Sequence, residues 1–273
     1  MKILIACDME GITGVVNWDQ VTPGHAEYPR FRRLMTQDVN AAIRGAVEGG
    51  ATDVIISDGH WNGSNILIEE LDPRARLNSG TSAPFSMMEG ISEEISGVIF
   101  VGYHARQGSQ NGVLDHTWSS KCVAGVWLNE ILVGEFGLNG ALAGYFGAPV
   151  IMVTGDQTAC AQTVELLGEM VSVEVKHATG RTSAECFAPE ITSRLIAEGA
   201  KRAVQNLKRH KAPDPFILDT PVLVTVDFMT SDMADRAARV PGAQRQDNRV
   251  SIEAPDMALA YTAFRALVGL AAG

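Results

Sequence analysis

The chain has 273 residues, 46% of them hydrophobic and 20% charged, with a formal net charge of −10. That length and balance are typical of a globular protein with ample core. The acidic balance argues against a nucleic-acid partner, and no apolar run is long enough to cross a membrane.

Lys2-Ile-Leu-Ile-Ala-Cys7 reads as a strand that runs into Asp8-Met-Glu10-Gly11. Strand side chains alternate faces, so Asp8 and Glu10 are expected to point the same way where the strand ends. Two converging anions need compensation, and a metal ion is its commonest source. Taken alone, the segment reads more simply as an acidic turn. Phe31 to Glu48 carries apolar residues at helical spacing and closes on Gly49-Gly50. A second strand, Asp53-Val-Ile-Ile-Ser, ends on Asp58-Gly-His60. Residues 62–96, with Pro73 and Pro84, read as connections with short elements. A third strand from Val98 leads into Gly102-Tyr-His104-Ala-Arg106.

Further on, Ile131-Leu-Val-Gly134-Glu135-Phe-Gly137 places a glutamate between two glycines, before a short helix from Leu138 to Phe146. Strands are predicted at Val150 to Val153, Val171 to Val175 and Val222 to Val226. Helices are predicted at Gln157 to Met170 and Pro189 to Lys208, followed by a linker at 211–215. Pro255-Asp256 opens a last helix to about Leu270, with proline in its first turn. This alternation argues for an α/β fold: a largely parallel sheet flanked by helices in three layers. The expected organisation is one catalytic unit over 1–273, with room for a second α/β subdomain at about 115–212.

In open α/β sheets, ligands gather outside the carboxyl ends of strands. Three such ends here deliver Asp8 with Glu10, Asp58 with His60, and His104. A lone strand-end histidine is usually structural, but three ends agreeing by accident is far less expected. Other signals carry less weight. Cys7 should face away from Asp8 and behave as a small hydrophobe. His25 and His177 read as loop or surface residues. The basic cluster from Lys201 to Lys211 sits at a helix C-terminus, where cations favour the dipole. Cys7, Cys122, Cys160 and Cys186 show no C-x-x-C spacing, which suggests thiols in a reducing compartment. With no signal-peptide pattern at the N-terminus, a cytoplasmic location is expected.

The ordered set Asp8-Met-Glu10-Gly11, Asp58-Gly-His60, Gly102-Tyr-His104-Ala-Arg106, His116-Thr117 and Gly134-Glu135-Phe-Gly-Leu-Asn139 resembles the bacterial D-aminopeptidase family of di-zinc metallopeptidases. Ser86-Met-Met-Glu-Gly90 and Leu142-Ala-Gly-Tyr145 are similar too, so the resemblance spans nearly the whole chain. It implies that Asp8 bridges two zinc ions, that Glu10 and His104 complete one site, and that His60 and Glu135 complete the other. It implies a catalytic role for His116 and a ring-like homo-oligomer, a decamer, with the active sites facing an inner chamber. Ala6, Thr117 and Gly59 depart from the family pattern beside these positions without touching the implied ligands.

The chemistry is consistent with that set. Five ligands with one shared give three protein contacts per metal and an open position on each. A bridging hydroxide could fill both. Imidazole and carboxylate donors suit zinc, and also manganese, cobalt or nickel. The implied reaction is hydrolysis of short peptides with a free amino terminus, D-alanine-containing ones among them. His116 would stabilise the oxyanion or protonate the leaving amine. Asp58 reads either as a partner behind a ligand or as a turn acid, and Arg106 either as a substrate-carboxylate contact or as a surface ion pair. Two rivals predict different behaviour. A two-metal phosphoesterase would need phosphate donors, and the chain has no Walker-type glycine loop. A non-catalytic peptide-binding protein would show affinity without turnover.

Overall fold

The computed structural model describes residues 1–273. The chain begins β1 (Lys2–Cys7), α1 (Tyr28–Gly49), β2 (Asp53–Asp58), β3 (Ala75–Asn78) and β4 (Ile95–Val101). It continues β5 (Val123–Leu128), β6 (Ile131–Val133), α2 (Glu135–Tyr145), β7 (Val150–Asp156) and α3 (Gln157–Leu167). It then forms β8 (Val171–Gly180), β9 (Ser183–Cys186), α4 (Pro189–Lys208) and β10 (Val222–Phe228). It closes with α5 (Ser231–Ala237), β11 (Gln244–Gln246), β12 (Arg249–Ala254) and α6 (Met257–Ala272).

The main sheet has seven strands in the order β3-β2-β1-β4-β7-β8-β9. All its pairings are parallel except β8 with β9. A second, antiparallel sheet has five strands in the order β11-β12-β10-β5-β6. It is built from residues 123–133 and 244–254 around β10, so strands distant in sequence meet.

Both faces of the main sheet are covered, which is why β1 is an uninterrupted apolar run from Ile3 onward. Ile3, Ile5 and Cys7 enter one core with Val39 of α1 and Ile196 and Val204 of α4. Leu4 and Ala6 enter the other, shared with Val224 and Phe228 of the second sheet and Phe264 and Leu267 of α6. Burying each such large aliphatic side chain contributes roughly 1.5–3 kcal/mol. The final helix starts one step later than the sequence suggests. Asp256 is its cap, accepting from the Leu259 N–H at 2.8 Å, and Pro255 lies outside it.

Register places the site. Cys7 is level with Asp58 on one side and Val101 on the other. Asp8, Gly59 and Gly102 therefore leave the sheet side by side. The β1 and β4 exits cross too closely for side chains. A Cβ on Gly11 would lie 1.9 Å from the Tyr103 carbonyl oxygen, and Gly102, at φ +74°, would press one against the Asp8 carbonyl. The Gly11 N–H donates to the Gly102 carbonyl at 2.8 Å and locks the crossing.

The loop after Gly11 is tied to both outer helices. Thr13 Oγ1 lies 2.9 Å from Asp38 Oδ1 on α1 and 2.8 Å from Thr192 Oγ1 on α4. The Thr13 N–H also donates to Asp38 Oδ2, at 2.9 Å, and its hydroxyl donates to Oδ1. Burial pushes the Asp38 carboxyl from 3.8 up to about 6, against the pull of its Thr13 hydrogen bonds and of Lys176. A raised carboxyl contributes stability that is full below about pH 3.8 and is lost as pH rises through about 6. Asp38→Asn is neutral at every pH. We expect it to be about 3 kcal/mol more stable than the parent above pH 7, and within about 1 kcal/mol at pH 4. Denaturant midpoints across that range measure the difference, and a gap that does not move with pH rejects the raised carboxyl.

Candidate metal centre

Six side chains converge at the carboxyl edge of the main sheet: Asp8, Glu10, His60, His104, His116 and Glu135. All are buried. Asp8 and Glu10 follow β1, His60 follows β2 and His104 follows β4. Glu135 is the first residue of α2, where the helix dipole favours a carboxylate, and it accepts from the Trp118 N–H at 2.6 Å. His116 comes from the long connection between β4 and β5. Strand alternation is not what aligns Asp8 with Glu10, because β1 ends at Cys7. The turn at Gly11 folds Glu10 back beside Asp8.

Distances within the cluster are short. His60 Nδ1 is 3.1 Å from Asp8 Oδ1 and 3.1 Å from Glu10 Oε2. His104 Nε2 is 3.4 Å from Asp8 Oδ2 and 3.2 Å from Glu135 Oε1. His116 Nε2 is 3.7 Å from Glu135 Oε1. The His104 and His116 rings stack at 4.0 Å, and Trp18 meets His116 edge-on at 5.5 Å.

Each histidine is oriented by a backbone carbonyl. His60 Nε2 donates to Val21 at 2.8 Å, His104 Nδ1 to Ala105 at 3.0 Å and His116 Nδ1 to Leu114 at 2.8 Å. A carbonyl only accepts, so the proton of each neutral ring is committed outward. The bare nitrogens then face the carboxylates. Such lone-pair-to-carboxylate contacts repel unless a cation lies between them, and this is the arrangement a metal-binding histidine requires. Glu10 Oε2 and His104 Nε2 are buried without an aligned hydrogen-bond partner, which again fits a coordinating role. The donor atoms of Asp8, Glu10 and His104 lie within 4.8 Å of one another, as do those of His104, His116 and Glu135. The residues present therefore fit divalent metal.

With protons alone, burial lowers His60 and His104, but the carboxylates facing them (Glu10 and Asp8, Glu135 and Asp8) overcome it and raise both well above the usual imidazole value. Burial raises Asp8, and its hydrogen bonds to His104 and His60 more than reverse this. Protons thus occupy the positions a cation would fill. His116 differs: burial lowers it, the positive charge of His104 lowers it further, and the ring stays neutral.

Asp58 and Arg106 stand outside the cluster. Asp58 accepts from the Asn65 and Ile66 N–H groups and from Asn65 Nδ2, and Asn65 also donates to the His60 carbonyl at 2.5 Å. It braces the loop behind His60. The Arg106 side chain is half-buried and makes no ion pair; its backbone N–H donates to Gln162. Cys7 is buried, and its thiol donates to the Ser57 carbonyl. Thr117 accepts from the Gln107 N–H at 3.2 Å.

Sequence reasoning did not reach Trp18, Lys176 or Arg181. Lys176 is fully buried and donates to the carbonyls of Glu10, Ile12 and Val15. Nothing in the local pattern marks these contacts, because each forms between segments far apart in the chain.

An α/β sheet whose strand ends gather buried carboxylates around outward-anchored histidines defines a metallohydrolase. The family profile of the peptidase M55 D-aminopeptidases matches residues 1–266. The D-aminopeptidase of Bacillus subtilis strain 168 is 36% identical over 276 residues, covering 99% of this chain and 98% of that one. A solved structure, described as the Zn-dependent D-aminopeptidase DppA from Bacillus subtilis, a self-compartmentalizing protease, is similar with a TM-score of 0.96 at 34% identity. That match covers 100% of this chain and 98% of the other. The chain belongs to the M55 D-aminopeptidase family, a family of hydrolases, and the motif resemblance holds along its length.

Proposed function

We propose that the chain is a zinc-dependent D-aminopeptidase that hydrolyses short peptides with a free amino terminus, D-alanyl peptides among them, at a dinuclear centre. The observation that carries this reading is the placement of Asp8. Its two carboxylate oxygens face different histidines, Oδ1 toward His60 and Oδ2 toward His104. A carboxylate so placed can serve two ions at once. Glu10 and His104 would hold one ion with Asp8, and His60 and Glu135 would hold the other. When bound, the ions would lower the pKa of a water toward neutrality, so that hydroxide is available as nucleophile, and would polarise the scissile carbonyl.

His116 handles the proton. Its Nδ1–H is committed to Leu114, so Nε2 of the neutral ring is bare and enters as an acceptor. It takes the proton released as the nucleophile attacks and returns it to the departing amine. Trp18 and His104 hold the ring from two sides. Asp58 keeps His60 in place through Asn65, and Arg106, free of any ion pair, is available to the carboxylate end of a peptide.

One core runs from the main sheet into the second sheet, which supports a single catalytic unit over the whole chain. Self-compartmentalization of the DppA protein supports a ring-like homo-oligomer here, and we read it as a decamer. No helix is long and apolar enough to cross a membrane, and all four cysteines are free thiols, which suits a cytoplasmic setting.

Metal analysis combined with turnover of D-Ala-D-Ala and L-Ala-L-Ala, before and after chelation, tests the reading. We expect two zinc equivalents per chain, a D-over-L preference above about tenfold, and loss of turnover on chelation. Full turnover in metal-free protein rejects the mechanism, equal rates on both dipeptides reject the stereochemistry, and a monomeric mass by light scattering rejects the ring.

A further inference from the structure

We propose that Arg181 is a positioning residue for His116, acting through the strained loop that carries it. The inference rests on the catalytic reading of His116 given above.

The connection between β4 and β5 is unusual in its backbone. Asn111, Leu114 and Trp118 all lie in the left-handed region, at φ 52°, 51° and 64°. A bulky residue such as Leu114 adopts that conformation only where its surroundings enforce it. Leu114 is also the residue whose carbonyl anchors His116 Nδ1 at 2.8 Å. The strain and the orientation of the imidazole therefore meet in one peptide unit.

Arg181 brackets that unit from both sides. It sits in the turn between β8 and β9, which projects over the loop. Its carbonyl accepts from the Leu114 N–H at 2.8 Å. Its side chain returns to the next residue, with Nε donating to Asp115 Oδ1 at 2.8 Å and Nη2 to the Asp115 carbonyl at 3.0 Å. The other Asp115 oxygen accepts from the Gly108 and Ser109 N–H groups, so the arginine also closes the near end of the loop. The same guanidinium lies 5.7 Å from the centre of the Trp18 ring, and Trp18 packs edge-on against His116. One side chain thus holds the backbone that aims the imidazole and the indole that backs it.

Arg181 makes no hydrogen bond or ion pair with any of the six clustered side chains, and about half of its side chain is exposed. It shapes His116 without contributing to the metal cluster. A fork with two donors at fixed separation is needed to reach both the Asp115 carboxylate and its carbonyl; a lysine reaches one.

The test uses the zinc-loaded full chain with D-Ala-D-Ala as substrate. Arg181→Ala is expected to lower kcat by about ten- to a hundredfold while KM stays within about twofold, the cost of a misplaced catalytic group. Zinc content should be unchanged, and Arg181→Lys should fall between the two. In a His116→Ala background the arginine substitution should have no further effect, because two residues acting through one group do not add. Unchanged kcat in Arg181→Ala overturns the proposal. So does a rise in KM alone, which would make Arg181 a substrate contact, or the same loss with and without His116. Full turnover in His116→Ala by itself would remove the underlying catalytic reading, and that failure is visible in the single variant. If Arg181→Ala does not fold, Asp115→Asn weakens the same pair from its other end and is held to the same kcat, KM and His116-background criteria.

Discussion

Replacing Asp8 with alanine is expected to release both metal ions and to lower turnover of D-Ala-D-Ala by at least about a thousandfold. Losing a residue that merely orients a ligand costs about 10–100-fold in metal affinity or activity. Asp8 stands closer than that. It is buried at the exit of β1, and each of its oxygens faces a different histidine. Its loss removes one of three proposed ligands from each ion at once. Glu10→Ala removes a ligand from one ion only, so the two variants differ in stoichiometry as well as rate. The fold should survive, because the strand ahead of it is held by apolar packing on both faces. Zinc analysis of the two variants decides the matter. An Asp8→Ala protein that keeps two equivalents of zinc would refute the bridging assignment, and a Glu10→Ala protein that loses both would show that the two sites depend on each other.

Much of this centre is visible in the amino-acid order, for a physical reason. Parallel strands end at one edge, so polar residues after Cys7, Asp58 and Val101 must meet wherever those strands are neighbours. The apolar runs mark the strands and the acids and histidines mark their ends. Helix α4 is equally plain, since Pro189 can open a helix and a long amphipathic stripe follows it. The second sheet is not visible. β5 and β6 pair with each other and β5 with β10, but β10 lies about a hundred residues further on, and β11 is a polar, exposed triplet with no strand signal of its own. Helix α5 has only seven residues and no apolar stripe to announce it.

Lys176 shows how a local rule is overridden. Alternation along β8 places Val171, Val173 and Val175 inward, so Lys176 should face solvent with Ser172 and Glu174. The register against β7 shifts at this point: Gly155 pairs with Glu174 but Asp156 pairs with Lys176, so β8 carries an extra residue there and Lys176 turns inward as well. Such irregularities re-aim single side chains beside active sites. No periodicity in the sequence forecasts this one.

That buried lysine is the second place where one substitution should be severe. Its ammonium donates to the carbonyls of Glu10 at 2.6 Å, Ile12 at 3.0 Å and Val15 at 2.8 Å. Burial pushes it from 10.5 down to about 8, while Asp156, Cys186, Asp38 and Glu10 pull upward, so it stays mostly protonated at neutral pH. Lys176→Met matches its length and removes the desolvated charge, which in isolation would stabilise. Against that gain, three buried carbonyls lose their donor at roughly 1–3 kcal/mol each, and Asp156 loses a cation. Three lost donors outweigh the gain from removing the charge, and we expect a net loss of about 3–5 kcal/mol. In a chain of this length it corresponds to a fall in melting midpoint of roughly 10 °C. The loop that loosens begins at the Glu10 carbonyl, so zinc should dissociate more readily as well. A methionine variant that melts within about 2 °C of the parent would mean that water or a shifted backbone satisfies those carbonyls. The lysine would then be a tolerated buried charge rather than the tie that holds Glu10 against the sheet edge.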